Sequence, residues 1–313
     1  MDFPLLDLMD DPACYDFLVD LLHPGGLACP GCGRPRSYAV HRCHREPVLD
    51  YRCWHCGRVF NAWTGTALQG TQKTPAQLVL LLRGITQGTP TAQLARELGC
   101  DRKHLLQLRQ RLQHLAWRYL PRSALPDEVA EADEMFQNAG EKGLPHANED
   151  DPPRRRANKA RGLGGWQNDR PPVSGVVGRE SKGLHLQVVE SVDGATLTEV
   201  VERTTTRGVT LYTDEATGYN RVAETGRGHS TVCHSDREWA RDDDGDGVRE
   251  VHNNTLEGIW TGLRNFLRPF RGVSKWHLEE YVAIFQWGFL CKVVGSDLIR
   301  ALCGLRPITN FAP

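Results

Sequence analysis

The sequence has no long apolar run. The stretch at 281–290 is well short of the roughly 18 residues that a membrane span needs, so it predicts a buried helix segment rather than a membrane helix. It also lacks a basic, apolar leader. The first residues are acidic, which predicts no secretory signal and a cytoplasmic protein. Net charge is almost absent, −1 over 313 residues, so no global pull toward a polyanion exists. What remains is an ordinary soluble composition, 40% hydrophobic, long enough for two or three domains.

The charge is unevenly distributed. Between Ala28 and Arg122 stand 15 Lys/Arg and 4 Asp/Glu, so the rest of the chain is acidic. A basic part joined to an acidic part is a footprint of nucleic-acid proteins. Such a protein would work near the nucleoid.

Ten cysteines in a chain expected inside the cell point to metal rather than disulfides. Cys29 and Cys32 form one C-x2-C pair, and Cys53 and Cys56 form a second, with twenty residues between the pairs. Each pair places two thiolates on one turn, and two such turns complete a tetrahedron around a single structural Zn²⁺. Gly33 and Gly57 follow the second cysteine of each pair, as a tight turn needs. His41, Cys43, His44 and His55 are nearby rivals, but the two pairs already close the site. This predicts an N-terminal helical segment at 1–24 and a zinc ribbon at 25–63.

Residues 73–122 predict an all-α helix-turn-helix. Pro75 suits a first helical turn, and Leu78, Leu81, Leu82 and Ile85 recur at helical spacing. Thr89 and Pro90 open a second helix, Gly99 ends it, and Asp101 caps a third carrying Leu105, Leu108, Leu112 and Leu115. That third helix presents Arg102, Lys103, His104, Arg109 and Arg111 on its polar side. Such a helix suits a DNA major groove, with its basic residues on phosphates. Ordinary helix packing with solvated charges is the bland alternative.

From residue 127 the pattern changes to alternation. Strand, strand, strand, helix, strand, short turn, strand, helix is the expected order to about residue 300. That order fits an α/β ribonuclease-H-like domain built on a mixed sheet. A flexible basic insert is expected at 138–172, with Arg154, Arg155 and Arg156 as candidate phosphate contacts. Asp133 falls on the first strand, Asp214 at the end of the fourth, and Glu257 near the start of the following helix. Three acids brought together there would hold two Mg²⁺ or Mn²⁺ ions. Asn254 lies three residues before Glu257, on the same helix face. Capping is the bland reading of these two residues.

The stretches CPGCG, YRCWHCGRVFNAWTGT, EADEMFQNAGEKG, TDEATGYNRV and YVAIFQW, with residues 233–278, carry a family resemblance. The chain resembles insertion-sequence transposases of the DDE type that have an N-terminal zinc ribbon and a helix-turn-helix. The likeness runs from about Leu21 to Leu290. It implies metal-dependent phosphodiester hydrolysis and strand transfer at transposon ends. It further implies Asp133 and Asp214 as the first two acids, and Asn254 or Glu257 at the third position. Arg264, seven residues past Glu257, occupies the place of a usual Lys, and Leu290 the place of a usual Asn. The implied partners are double-stranded terminal repeats, target DNA and further copies of the chain. A DNA-binding protein without catalysis, and a nuclease of the same fold, are the alternatives.

Asp242, Asp244, Asp246 and Gly247 imitate the start of a calcium loop, but Asn253 stands where its closing Glu is required. An acidic surface loop is therefore expected. Glu134 and Glu215 alternate away from the proposed catalytic face, toward salt bridges or solvent, and His234 and His252 are expected to be structural, with support of the site or a phosphate contact as the alternative.

Overall fold

The helix α1 (Asp11–Leu22) opens the chain with Asp10 as its cap, and the three-stranded sheet β1 (Tyr38–Arg42), β2 (Asp50–Cys53) and β3 (Val59–Phe60) follows. Next come α2 (Pro75–Thr86), α3 (Thr91–Glu97) and α4 (Arg102–Arg118). The second half holds β4 (Val129–Phe136), β5 (Pro172–Gly178), β6 (Leu184–Val188), α5 (Gly194–Thr204), β7 (Thr210–Thr213) and β8 (Gly228–Thr231). It ends with α6 (Asn254–Leu267), α7 (Leu278–Cys291) and α8 (Ser296–Leu302). This computed structural model describes residues 10–142, 164–291 and 295–308. The expected phosphate contacts Arg154, Arg155 and Arg156 lie outside the described residues. No helix among those described is long and apolar enough to cross a membrane.

The chain divides into two compact units. The first joins residues 1–119 to 291–310. Its small sheet is ordered β1-β2-β3, with Tyr38, Tyr51 and Phe60 packed edge to face beside Cys29 and Cys53. The helical part follows the expected signals at α2 and α4, whereas α3 starts at Thr91 with Pro90 as its N-cap and no side-chain cap from Thr89. Thr74 and Gln77 form a reciprocal capping box at α2, Gly99 takes φ +59° after α3, and Asp101 accepts from His104 N at 2.8 Å to cap α4. The expectation for Arg109 needs correction. Its side chain is wholly buried, donating to Gln113 Oε1 at 2.8 Å and to Thr89 O at 2.6 Å. It ties the turn before α3 to α4 and does not reach outward. Arg102, Lys103 and His104 are exposed. The C-terminal helix α8 also belongs here. Arg300 donates to Leu21 O at 2.7 Å, and Tyr119 to Gly304 O at 3.1 Å, so the second unit stops short of residue 300.

The second unit, residues 120–290, is a five-stranded mixed sheet ordered β6-β5-β4-β7-β8. β4 runs antiparallel to β5, β5 antiparallel to β6, and β4, β7 and β8 run parallel. Every residue of β5 is buried, as a central strand covered on both faces must be. One face packs on α5 through Ala130, Ala132, Val176, Leu197 and Leu211. The other packs on α6 and α7 through Met135, Val173, Val177, Leu256 and Trp260. Alternation along β4 therefore sends odd-numbered residues toward α6 and even-numbered ones toward α5. β8 ends at Thr231, and His234–Asp236 form a 3-10 turn. The described ends of the expected insert are packed rather than loose. Ala139, Glu141 and Asp169 are buried, and Lys275 bridges Glu141 and Asp169 at 3.0 and 3.2 Å.

Candidate active site and cysteine centre

Two loops, at residues 29–33 and 53–57, build the cysteine centre. In each, the glycine after the second cysteine takes φ +72° and donates back to the first cysteine's carbonyl, Gly33 N to Cys29 O at 2.8 Å and Gly57 N to Cys53 O at 3.0 Å. Only glycine adopts that conformation without cost. The turns bring the four Sγ atoms of Cys29, Cys32, Cys53 and Cys56 within 4.8 Å of one another. Cys29 Sγ lies 3.5 Å from Cys56 Sγ, and Cys32 Sγ 3.7 Å from Cys53 Sγ. Tetrahedral thiolates at Zn–S of about 2.3 Å stand about 3.8 Å apart, so the donor set fits one closed four-sulfur metal site.

On the sheet, the parallel β4–β7 ladder pairs Ala130 with Leu211 and Glu131 with Tyr212. Two residues further along both chains stand Asp133 and Asp214. Paired residues of parallel strands point to the same face, so that register, continued two residues, turns Asp133, inside β4, and Asp214, just past the end of β7, to one face, and the Asp214 charge is felt at Asp133. Asp133 is partly buried and its carboxyl is pushed up to about 7. Burial is the main cause. The Trp260 N–H works against it, and the Asp214 charge adds to it. A half-desolvated acid beside a second acid lacks positive charge, which is the condition a divalent cation relieves.

Glu131 was not singled out by sequence reasoning, yet it organises this face. Its carboxylate is fully buried and pairs with Arg179 Nε at 2.9 Å. It also accepts from Thr255 N at 2.9 Å, Thr255 Oγ1 at 2.8 Å and Leu256 N at 3.3 Å. The two N–H groups belong to the first turn of α6, where no carbonyl of the helix can accept them. The helix is thus capped from β4, and Asn253 at its N-cap makes no side-chain capping bond. The capping-box reading of the Asn and Glu cluster is not what the structure adopts. His252 joins the network through Arg179 Nη2 at 2.9 Å, the structural role expected of it.

With the N-terminus of α6 held, Asn254, Glu257 and Arg264 all lie on its exposed side. Glu257 is half-exposed, and its Oε1 stands 3.8 Å from His234 Nε2. The oxygens of Asp133, Asp214 and Glu257 do not form a group with all atoms within 4.8 Å. Two bridged ions separated by about 3.5–4 Å spread their outer ligands farther than one ion does. His234 is seated by its own turn, where Glu215 accepts from His234 N at 2.9 Å and Ser235 N at 3.1 Å. Glu134, on the α5 side, accepts from Tyr219 Oη at 2.9 Å, and burial pushes its carboxyl up. Glu215 is exposed, as expected, while Glu134 is partly buried. Leu290 packs on the apolar cluster between the sheet, α6 and α7.

The ISXO2-like transposase domain matches residues 129–289, just over half the chain and the whole of the face described above. The chain belongs to the ISXO2-like transposase family. A Halobacterium salinarum protein of transposable element ISH50 is 28% identical over 286 residues, spanning 90% of this chain and 92% of that protein. Among solved structures, a simian T-cell lymphotropic virus intasome chain aligns at 11% identity over 75% of this chain and 76% of its own, with a TM-score of 0.31. A chain of the pre-cleavage Mos1 transpososome aligns at 10% identity over 72% and 75%, with a TM-score of 0.26. Scores this low do not define a shared fold.

Within the transposase domain, the Asp242, Asp244 and Asp246 carboxylates do gather within 4.8 Å. They are engaged by their own turn. Asp242 accepts from Gly245 N and Gly247 N, and Asp246 from Val248 N at 2.7 Å. Asn253, where a calcium loop needs its Glu, is buried at the start of α6.

Proposed function

We propose that this chain is a DNA transposase of the DDE type, which binds the ends of an insertion sequence and cuts and joins DNA at Asp133, Asp214 and Glu257. The β4–β7 register, which turns Asp133 and Asp214 to one face, together with the partly buried setting of Asp133 beside the Asp214 charge, supports this reading most. The unit carrying them is read as a ribonuclease-H-like domain. The first unit is read as a zinc ribbon, with one structural Zn²⁺ on Cys29, Cys32, Cys53 and Cys56, and a helix-turn-helix. Arg102, Lys103 and His104 on the exposed start of α4 meet DNA in that reading, and the chain works as a homo-oligomer on two ends.

Two bound Mg²⁺ or Mn²⁺ ions would supply charge stabilisation for the attacking and leaving oxygens of the phosphodiester. Asp133 would offer its carboxylate from within β4 and Asp214 from just past the end of β7. Glu257 adds a third negative charge from α6, and Asn254 donates a hydrogen bond to a phosphate oxygen at the helix N-terminus. Arg264, two turns further along the same exposed side, faces phosphate charge. The rival assignment makes Asn254 the third ligand.

Cleavage of DNA carrying the element's ends separates the two. Glu257→Gln abolishes Mg²⁺-dependent cutting with DNA binding retained, and Asn254→Ala slows it by roughly 10²-fold. Folded Glu257→Gln protein that still cuts would assign the third position to Asn254. If the wild-type chain binds the ends but cuts nothing with either metal, the DNA-binding alternative holds.

A further inference from the structure

Asp133 stands opposite Gly175 in the β4–β5 ladder. Trp260 of α6 lies over this pair. Its indole is 3% exposed, and its Nε1 donates to Asp133 Oδ2 at 2.8 Å. Glycine in the middle of a central buried strand weakens the strand unless something must come close. Gly175 does not take a positive φ, so its backbone does not require glycine. Space requires it. A Cβ at that position would sit 2.6 Å from Cη2 and 2.9 Å from Cζ2 of the Trp260 indole, with the flexible Leu186 Cδ2 next at 3.0 Å.

The consequence falls on the carboxylate. Oδ2 is held by the indole N–H, and Oδ1 accepts from Glu134 N at 2.8 Å. One donor on each oxygen fixes the plane of the group. An ionised carboxylate offers about four lone-pair sites, so each oxygen keeps one. The chemistry of the donor matters as well. Arg or Lys at this place would neutralise the carboxylate and compete with a cation. An indole N–H orients the group and leaves its charge intact, the task of the outer partners of metal ligands.

We propose that Trp260 is a positioning residue that holds the Asp133 carboxylate in the orientation a divalent cation needs, and that position 175 is glycine to admit its ring. This rests on the reading of Asp133 as a cation ligand. A Trp that merely fills the core would also seek a hydrogen-bond partner, so the test must move something that packing alone does not.

The experiment uses the full chain, Mn²⁺ as the probe, and calorimetric titration without DNA. The Asp133-dependent binding is defined by its loss in Asp133→Asn, which also discounts Mn²⁺ taken up by the acidic loop at 242–246. Trp260→Phe keeps an aromatic ring and removes the N–H. It should weaken that binding about tenfold or more, and raise the Mn²⁺ needed for half-maximal cleavage by a similar factor. Gly175→Ala, which displaces the ring without deleting the N–H, should act in the same direction. It should add less in the Trp260→Phe background, because Phe has no atoms in place of Cη2 and Cζ2 and only the tip of Leu186 is left to give way. Unchanged Mn²⁺ affinity in a folded Trp260→Phe protein, while Asp133→Asn abolishes binding, overturns the inference and leaves the cation reading standing. Should Trp260→Phe fail to fold, unchanged affinity in Gly175→Ala overturns it equally. If Asp133→Asn itself binds Mn²⁺ normally, the cation reading falls and takes this inference with it.

Discussion

Asp133 carries the most information of any single residue. Its carboxyl is pushed up to about 7 by burial, helped by the Asp214 charge and opposed by the Trp260 N–H. In the unfolded chain an Asp loses its proton near pH 4. Between those values the folded state holds a proton that the unfolded state has released, so stability falls as pH rises through the window. Asp133→Asn removes that ionisation. Without divalent metal, the melting temperature of Asp133→Asn relative to wild type should climb between pH 5 and pH 8, and added Mn²⁺ should stabilise the wild type more than the variant there. A pH-independent difference would mean that Asp133 is not strained by its charge. The candidate acids were legible in the sequence because a carboxylate inside an alternating strand calls for a reason. Trp260 and Gly175 were not, because a Trp in a helix and a Gly in a strand each have commoner explanations. Only the close approach of the two across the sheet links them.

At the scale of elements, the order of strands and helices in the second unit was readable from alternation and helical periodicity. The α6 start was not. Asn253, Asn254 and Glu257 look like local caps, yet the first-turn N–H groups of α6 go to Glu131, more than a hundred residues earlier. Local pattern cannot announce a cap supplied from another strand. Arg109 failed in the opposite sense, because a basic residue on a basic helix suggests solvent, yet it is buried against Thr89 in the turn before α3 and Gln113 one turn further along α4. Glu131 gives a prediction at this scale. Gln at that position turns an amide NH₂ toward donors and leaves Arg179 without its charge partner. Breaking a buried pair in this way costs about 3 kcal/mol or more. Glu131→Gln should therefore lower the urea midpoint markedly and speed amide hydrogen exchange at Thr255 and Leu256 above the rest of α6. A midpoint matching wild type would show that the carboxylate is not what holds the helix start.

At the scale of the whole molecule, the near-zero net charge conceals a basic first part and an acidic remainder. Binding to DNA should therefore be carried by the basic part and should weaken steeply with salt. Replacing both Arg102 and Lys103 by Ala should flatten the slope of log affinity against log salt by about 2, with similar loss on any sequence. An unchanged slope would place the phosphate contacts elsewhere. The account as a whole turns on whether Asp133 and Asp214 form one cation site. An anomalous difference map from crystals soaked in Mn²⁺ tests that most directly. The account predicts a peak bound by oxygens of both aspartates. Mn²⁺ found only at the loop of Asp242, Asp244 and Asp246, with the two aspartates bare at full soak, would contradict it.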